Sequence, residues 1–157
     1  MSDLLAFKFN SKPFHDDMKR KKEALQKRKA TNAKAVAYID KWIQDNFKSQ
    51  GVKATGGKWH ELSDVTLSMR RKKGGGAKIL EDNGNLKGHW KHLYTHDAAK
   101  IQSGVEYGLV HDQGNSNNRM FGKAKAPIPQ RKITPTKEQV WPDIKKIFKL
   151  FLGEVLK

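Results

Sequence analysis

Residues 16–48 read DDMKRKKEALQKRKATNAKAVAYIDKWIQDNFK, and this stretch decides the fold. No glycine or proline interrupts it, and Met18, Leu25, Val36, Ile39, Ile43 and Phe47 recur on one face at helical spacing. The spacing predicts one long helix. Lys22, Lys29 and Asn32 lie on the same side in the first half and dilute that face. Between Lys19 and Lys34, eight basic residues stand against the single acid Glu23. The helix is therefore expected to be anchored through its C-terminal end, with a basic N-terminal half reaching away from the core. Gly51 is placed to end it, and Lys48 in the last turn suits the negative end of the helix dipole.

Downstream, from Gly51 to Asn85, the periodicity is lost, and Gly56-Gly57 and Gly74-Gly75-Gly76 punctuate the chain. A connection this long is unusual in a compact domain, so it is expected to be functional, ordered by a neighbour, or partly disordered. Its basic tip, Arg70-Arg71-Lys72-Lys73, is bounded by glycines and is expected to be a mobile loop. A short helical turn is expected over Ser63 to Met69, with Ser63 or Asp64 as its cap.

Trp90 to Val105 alternates like a β-hairpin with a turn at His96-Asp97. Tyr107 to Asp112 reads as a short helix ended by Gly114. Asn115 to Asn118 is loop by composition, and Pro127 and Pro129 favour an extended run into Arg131-Lys132-Ile133. Thr136 and Gln139 fit a capping box, ahead of an apolar stripe of Val140, Ile144, Ile147, Phe148, Phe151, Leu152 and Val155. Pro142 means that this last helix either starts there or is kinked near Trp141. Core packing of the stripe is expected in preference to a place on a membrane surface.

The predicted class is α+β: a long N-terminal helix, a small antiparallel sheet, an amphipathic C-terminal helix and a long central loop. A single domain over 1–157 is expected, divided into an arm (1–15), the long helix (16–50), an extended loop region (51–86), a small sheet with connecting turns (87–135) and the C-terminal helix (136–157).

Lys and Arg number 32 against 16 Asp and Glu, so the 157-residue chain carries +16 and a pI near 10.0. Such a charge attracts polyanions, so nucleic acid, an anionic membrane or an acidic protein partner is expected. A plain solvated face is the alternative, and charge alone leaves both open. Cysteine is absent, which excludes disulfides and thiolate metal sites. No apolar run approaches the ~20 residues that span a bilayer. The start, Met1 to Lys8, lacks a basic segment followed by an apolar one, so no secretory signal is read there and a cytoplasmic protein is expected.

Chemistry-bearing patterns are weak. His92 and His96 stand four apart, but on a strand and turn and not on a helix, so no metal is expected there. His111-Asp112 followed by Asn117-Asn118 is faintly like a metal-dependent nuclease that pairs His with Asn, without that motif's ββα setting. No nucleophile elbow, Walker loop or dinucleotide fingerprint occurs. No catalytic, cofactor-binding or metal-binding residue and no cofactor is therefore expected. Phosphate contact by clustered Lys and Arg needs no motif, whereas base-specific readout has none to support it.

An ordered set of phrases remains. Lys58, Trp59, Leu62, Ser63 and Thr66 come first, then Arg70-Arg71. Ile79, Leu80, Gly84 and Leu86 come next, then Tyr107, His111 and Gly114, and finally Pro129 and Arg131. In this order they resemble the virion morphogenesis (tail completion) family of Mu-like tailed bacteriophages. The resemblance runs from about Lys58 to the C-terminus, while the N-terminal helix agrees in kind only. Two departures stand out. The family usually has His-Gln before the glycine, where this chain has His111-Asp112-Gln113-Gly114. Its usual Arg-Pro-Phe-Leu is Arg131-Lys132-Ile133-Thr134 here.

The resemblance implies a structural virion protein, a ring subunit of the neck or tail-completion region where head joins tail, and no enzyme. It implies a homo-oligomeric ring, contacts with other neck, portal or tail proteins, non-specific contact with DNA in the channel, and no membrane. The location implied is the virion tail or neck, after assembly in the host cytoplasm. Trp59, Leu62, Thr66, Leu80, Gly84, Leu86, Tyr107, His111, Gly114 and Arg131 are then expected to serve packing or subunit contacts. On charge density, Lys19, Arg20, Lys21, Arg70, Arg71, Lys72 and Lys73 are the expected contacts to DNA or an acidic partner. The runner-up is a stand-alone, sequence-independent nucleic-acid-binding protein, with an enzyme third.

Overall fold

The computed structural model describes residues 10–74, 76–116 and 127–155. Readings that concern residues 1–9, Gly75, Asn117, Asn118 and residues 156 and 157 lie outside the described residues. Helix α1 runs over Lys12–Gln26 and α2 over Arg28–Lys48. The helix begins earlier than Asp16 because Pro13 sits in its first turn, where a missing N–H goes unused. One tight step at Lys27 joins the two segments: its amide bonds Ala24 O at 3.0 Å, and its carbonyl accepts Ala30 N at 3.3 Å. The N-terminal half does reach away from the core, since α1 buries no residue while α2 buries Ala35, Val36, Trp42, Ile43 and Phe47. Met18 and Leu25, in the diluted half expected to reach away, are accordingly 51% and 40% exposed. Their lysine-diluted face has no apolar surface large enough to hold it down.

The end of α2 is a Schellman motif with Gln50, not glycine, in the left-handed position. Gln50 has φ 52, Gly51 N bonds Asn46 O at 3.0 Å, and Gln50 N bonds Phe47 O at 3.1 Å. The side chain and carbonyl of Gln50 then organise the next segment of chain. Its Oε1 accepts Ile79 N at 2.8 Å, its Nε2 donates to Phe47 O at 2.8 Å, and its backbone carbonyl accepts Trp59 N at 2.7 Å.

The expected extended loop over 51–86 is corrected by three helices, α3 (Val52–Thr55), α4 (Asp64–Lys72) and α5 (Asn85–Gly88). Ser63 caps α4 by accepting Thr66 N at 3.3 Å, as the sequence indicated. The helix continues three residues past Met69, with Asp64 in its first turn and Arg70, Arg71 and Lys72 in its last, which suits both ends of the dipole. The basic tip is therefore a helix end with Lys73 as its cap, not a mobile loop.

Strands β1 (Trp90–Tyr94) and β2 (Ala99–Ser103) form the predicted antiparallel hairpin, with Trp90 opposite Ser103 and Tyr94 opposite Ala99. It packs on α2, where the Asn32 amide donates to the turn carbonyl of Thr95 at 2.8 Å. Helix α6 (Tyr107–Gln113) ends at Gly114, and Asn115 pairs with Ile128 in an antiparallel bridge. Helix α7 (Lys137–Val155) starts ahead of Pro142, which lies inside it. Thr136 N donates to Gln139 Oε1 at 2.9 Å in the expected capping box. Of its apolar stripe, Val140 is buried and Ile144 lies against the core, Ile147, Phe148, Phe151 and Val155 are half-buried, and Leu152 is exposed. The core gathers Trp42, Ile43, Phe47, Trp59, Ile79, Leu86, Ile133 and Val140. Tyr38 ties α2 to α7 by donating to Asp143 Oδ2 at 2.7 Å. No described helix is long and apolar enough to cross a membrane.

Candidate functional site

The phrases that are scattered in sequence meet around the extended run 127–134. Trp59 is the pivot. Its indole lies edge-on to Phe47 with ring centroids 5.3 Å apart, and its Nε1 donates to Lys132 O at 2.9 Å. The ring passes so close to Gly51 that a Cβ there would sit 2.4 Å from Trp59 Cδ1. Asn46, fully buried, donates from one amide nitrogen to the carbonyls of Lys132 (3.0 Å) and Ile133 (3.1 Å). Helix α2 and Trp59 thus clamp the same backbone.

Arg131 lies one residue before that clamp and is only 6% exposed. Its Nε donates to His60 O at 3.1 Å and its Nη2 to Glu61 O at 3.3 Å, and its amide bonds His111 O at 2.7 Å. The motif arginine therefore fastens the segment ahead of α4, and α6, to the extended run. Burial, and then the Arg70 charge, lower its pKa from the usual arginine value. Burial also lowers the pKa of His111, with the Arg131 charge adding to it. A neutral imidazole beside a guanidinium is what that pair favours.

The two departures from the family pattern turn out to be one device. Asp112 Oδ2 takes Lys132 Nζ at 2.6 Å, while Oδ1 accepts the amides of Ile133 at 2.7 Å and Thr134 at 2.8 Å. The Thr134 hydroxyl donates to Oδ1 at 3.0 Å. Burial is the largest single influence on the carboxyl and raises its pKa, but Lys132 and the two amides together outweigh it, so the net shift is downward. Asp112 thus compensates for Lys132 and Thr134, and sequence reasoning missed that role. The only signal in the sequence is that both departures fall near motif positions.

The remaining motif residues serve geometry. Gly84 has φ 76 and starts α5, which buries Leu86 in the core. Gly114 has φ 77, and a Cβ would meet Gln130 N at 3.0 Å. Tyr107 lies edge-on to His111, 6.2 Å between centroids. Leu62, Thr66 and Leu80 line a cleft of about 690 Å³ whose other walls include Arg70, His111, Pro129 and Arg131.

The seven basic residues singled out on charge density fare differently. Lys19 and Arg20 are exposed, and Arg20 and Lys21 share Asp17 at 2.8 and 2.6 Å. Arg70 is held in place by Lys78 O at 2.8 Å and Asp82 at 3.5 Å, its side chain 13% exposed. Arg71, Lys72 and Lys73 are exposed, and among the described residues no ion pair engages them. The two clusters belong to separate helices, α1 and the end of α4. Among the described residues no group of three or more His, Asp or Glu has a metal-site arrangement. His92 lies 3.6 Å from Asp40, on the exposed side of β1.

No curated protein and no solved structure matches the chain. The model of the phage virion morphogenesis family matches residues 11–148, which takes in the N-terminal helix as well as every one of the motif phrases. Members of that family are parts of a particle under construction and are not known as catalysts. The chain belongs to the phage virion morphogenesis family, and its work is structural, in assembling the phage particle.

Proposed function

We propose that this protein is a ring-forming subunit of the tail-completion or neck region, acting where the phage head is joined to the tail. The observation that carries this reading is α1, a fifteen-residue helix that buries none of its side chains and leaves Phe14, Met18 and Leu25 largely exposed. Apolar surface of this kind gains from burial against a neighbouring subunit, and heterologous contacts close into a ring where their rotation allows. The exposed cations extend the same logic to acidic neighbours. Lys19 on α1, and Arg71, Lys72 and Lys73 at the end of α4, lack intramolecular ion pairs among the described residues and supply the contact to DNA in a channel or to an acidic portal or tail surface. Arg20 and Lys21 add to that field, since one aspartate serves them both.

The test is complementation of a phage lacking the gene with a variant in which Lys19, Arg20, Lys21, Arg71, Lys72 and Lys73 are glutamine. Free heads and free tails are counted by electron microscopy. The expected result is unjoined heads and tails with subunits still folded, and normal joining would refute the contact role. Native mass of the purified wild type, alone and with tail extract, checks the ring: a species of a single chain under every condition would count against it.

A further inference from the structure

We infer that the cleft between residues 60–66 and 127–131 is a docking site for an acidic, partly apolar peptide segment of a neighbouring virion protein. The inference deepens the assembly reading and rests on it. Arg131 forms the floor. A guanidinium carries five N–H donors, yet here its bonds go to two backbone carbonyls, and among the described residues no carboxylate lies within ion-pair distance. A cation nine-tenths buried without a counter-charge is an unfavourable state that an arriving carboxylate relieves.

Its neighbours strengthen the field. Arg70 reaches the same cleft, and its partner Asp82 is 3.5 Å away and 61% exposed. His111 lines the wall with its Nδ1 buried and without a hydrogen-bond partner among the described residues. Between these polar groups the walls are apolar, formed by Leu62, Leu80, Ile128 and Pro129. Leu80 is held at φ 61, a left-handed backbone that a leucine rarely adopts and that tends to mark functional positions.

The occupant is fixed by this mixture. A carboxylate satisfies the guanidinium groups, and an adjacent apolar side chain fills the space beside Leu62 and Pro129. The size, about 690 Å³, suits one peptide segment and not a duplex. A second copy of this chain, at +16, is a poorer source of acid than a less basic neighbour.

The test uses the full chain and a short fluorescent peptide alternating Asp and Leu. The controls are the same peptide with Asn for Asp and a single-stranded oligonucleotide. Binding is read by fluorescence anisotropy at physiological salt. The decisive variant is Thr66→Glu. It adds an acid to the first turn of α4, which suits the positive end of the helix dipole, so α4 is preserved, and it places a carboxylate among the residues lining the cleft as an internal competitor. The wild type is expected to prefer the Asp peptide over the Asn peptide about tenfold, and Thr66→Glu to abolish that preference. Lys100→Gln with Lys149→Gln, two exposed lysines away from the cleft, serves as a charge control and leaves the preference intact. Equal binding of the two peptides, or an undiminished preference in Thr66→Glu, overturns the inference. So does displacement of the peptide by the oligonucleotide, or self-association that Thr66→Glu removes. In cells, a gene deletion that blocks joining but is fully rescued by Thr66→Glu sinks the cleft alone. A deletion that leaves particles normal sinks the assembly reading beneath it.

Discussion

Replacing Asp112 by Ala isolates the device that reconciles this chain with its family pattern. The carboxylate, 11% exposed, holds Lys132 Nζ, the amides of Ile133 and Thr134, and the Thr134 hydroxyl. Ile133 is 1% exposed, so water does not reach its amide once the acceptor is gone. One stranded buried donor costs about 1–3 kcal/mol. Breaking a buried ion pair costs about 3–5 kcal/mol, and the lower end applies because the Lys132 side chain keeps 26% of its exposure. The two losses share one carboxylate and do not add, so the expected net destabilisation is about 3 kcal/mol. With a urea slope of about 1–3 kcal/mol per molar, the unfolding midpoint falls by about 1–3 M. Tryptophan fluorescence reports it, since Trp59 is bonded to the same backbone. Asp112→Asn keeps an acceptor for the amides but loses the ion pair, so it is expected to lie between wild type and Ala. A loss below about 1 kcal/mol for Ala, or an Asn variant as damaged as Ala, would show that the network does not hold the 131–134 run in place.

Gly51→Ala is expected to lose about 3 kcal/mol, from a left-handed φ of 98 combined with overlap against Trp59; a thermal melt within a degree of wild type refutes that closeness. Asn46→Leu keeps the volume but strands the Ile133 carbonyl, while the Lys132 carbonyl keeps Trp59 Nε1 and the Ala54 amide keeps Gly51 O, so a loss of about 1–3 kcal/mol is expected in urea. The Tyr38 phenol is pushed up to about 12 by burial first and by Asp143 second. An unfolded phenol ionises near 10. The contribution is therefore complete below that value and is lost as pH rises from 10 toward 12. Tyr38→Phe is expected to start about 1 kcal/mol less stable and to lack this alkaline loss; parallel urea midpoints across that window decide it. On the acid side, the lowered pKa of Asp112 makes stability fall as pH drops through and below the ordinary carboxyl value of 3.8, a slope that Asp112→Asn flattens.

What the sequence made legible was whatever depends on near neighbours. The hairpin of Trp90–Tyr94 with Ala99–Ser103 arises from alternation of period two around a polar turn. The Ser63 cap and the Thr136–Gln139 box are contacts over three residues. The length of α4 was hidden because its last turn, Arg70 to Lys72, is basic and flanked by glycine, and so reads like loop. Yet basic residues are favoured at a helix C-terminus, and Lys78 O and Asp82 hold Arg70 there. The partial cover of the C-terminal stripe was hidden for the opposite reason: apolar spacing reveals a face but not how much of it the rest of the chain covers. Within the site, Trp59 and Arg131 were singled out by resemblance, but their partners lie some 70 residues away in sequence, as with the bond from Trp59 to Lys132. Gln50 and Asp112 carry little local signal. The bonds from Gln50 to Ile79 and Trp59, and from Asp112 to Lys132, Ile133 and Thr134, exist only after the chain has folded back on itself.

The single tight step at Lys27 gives the subunit a lever. Helix α1 has 15 residues and, at 1.5 Å each, projects about 22 Å beyond that pivot. A tilt of about ten degrees there would swing its tip by about 4 Å against only its light contact with α7, while Ile43, Phe47 and Trp59 keep their places. Compliance of this kind lets identical parts meet slightly different surroundings without each having to deform its interior.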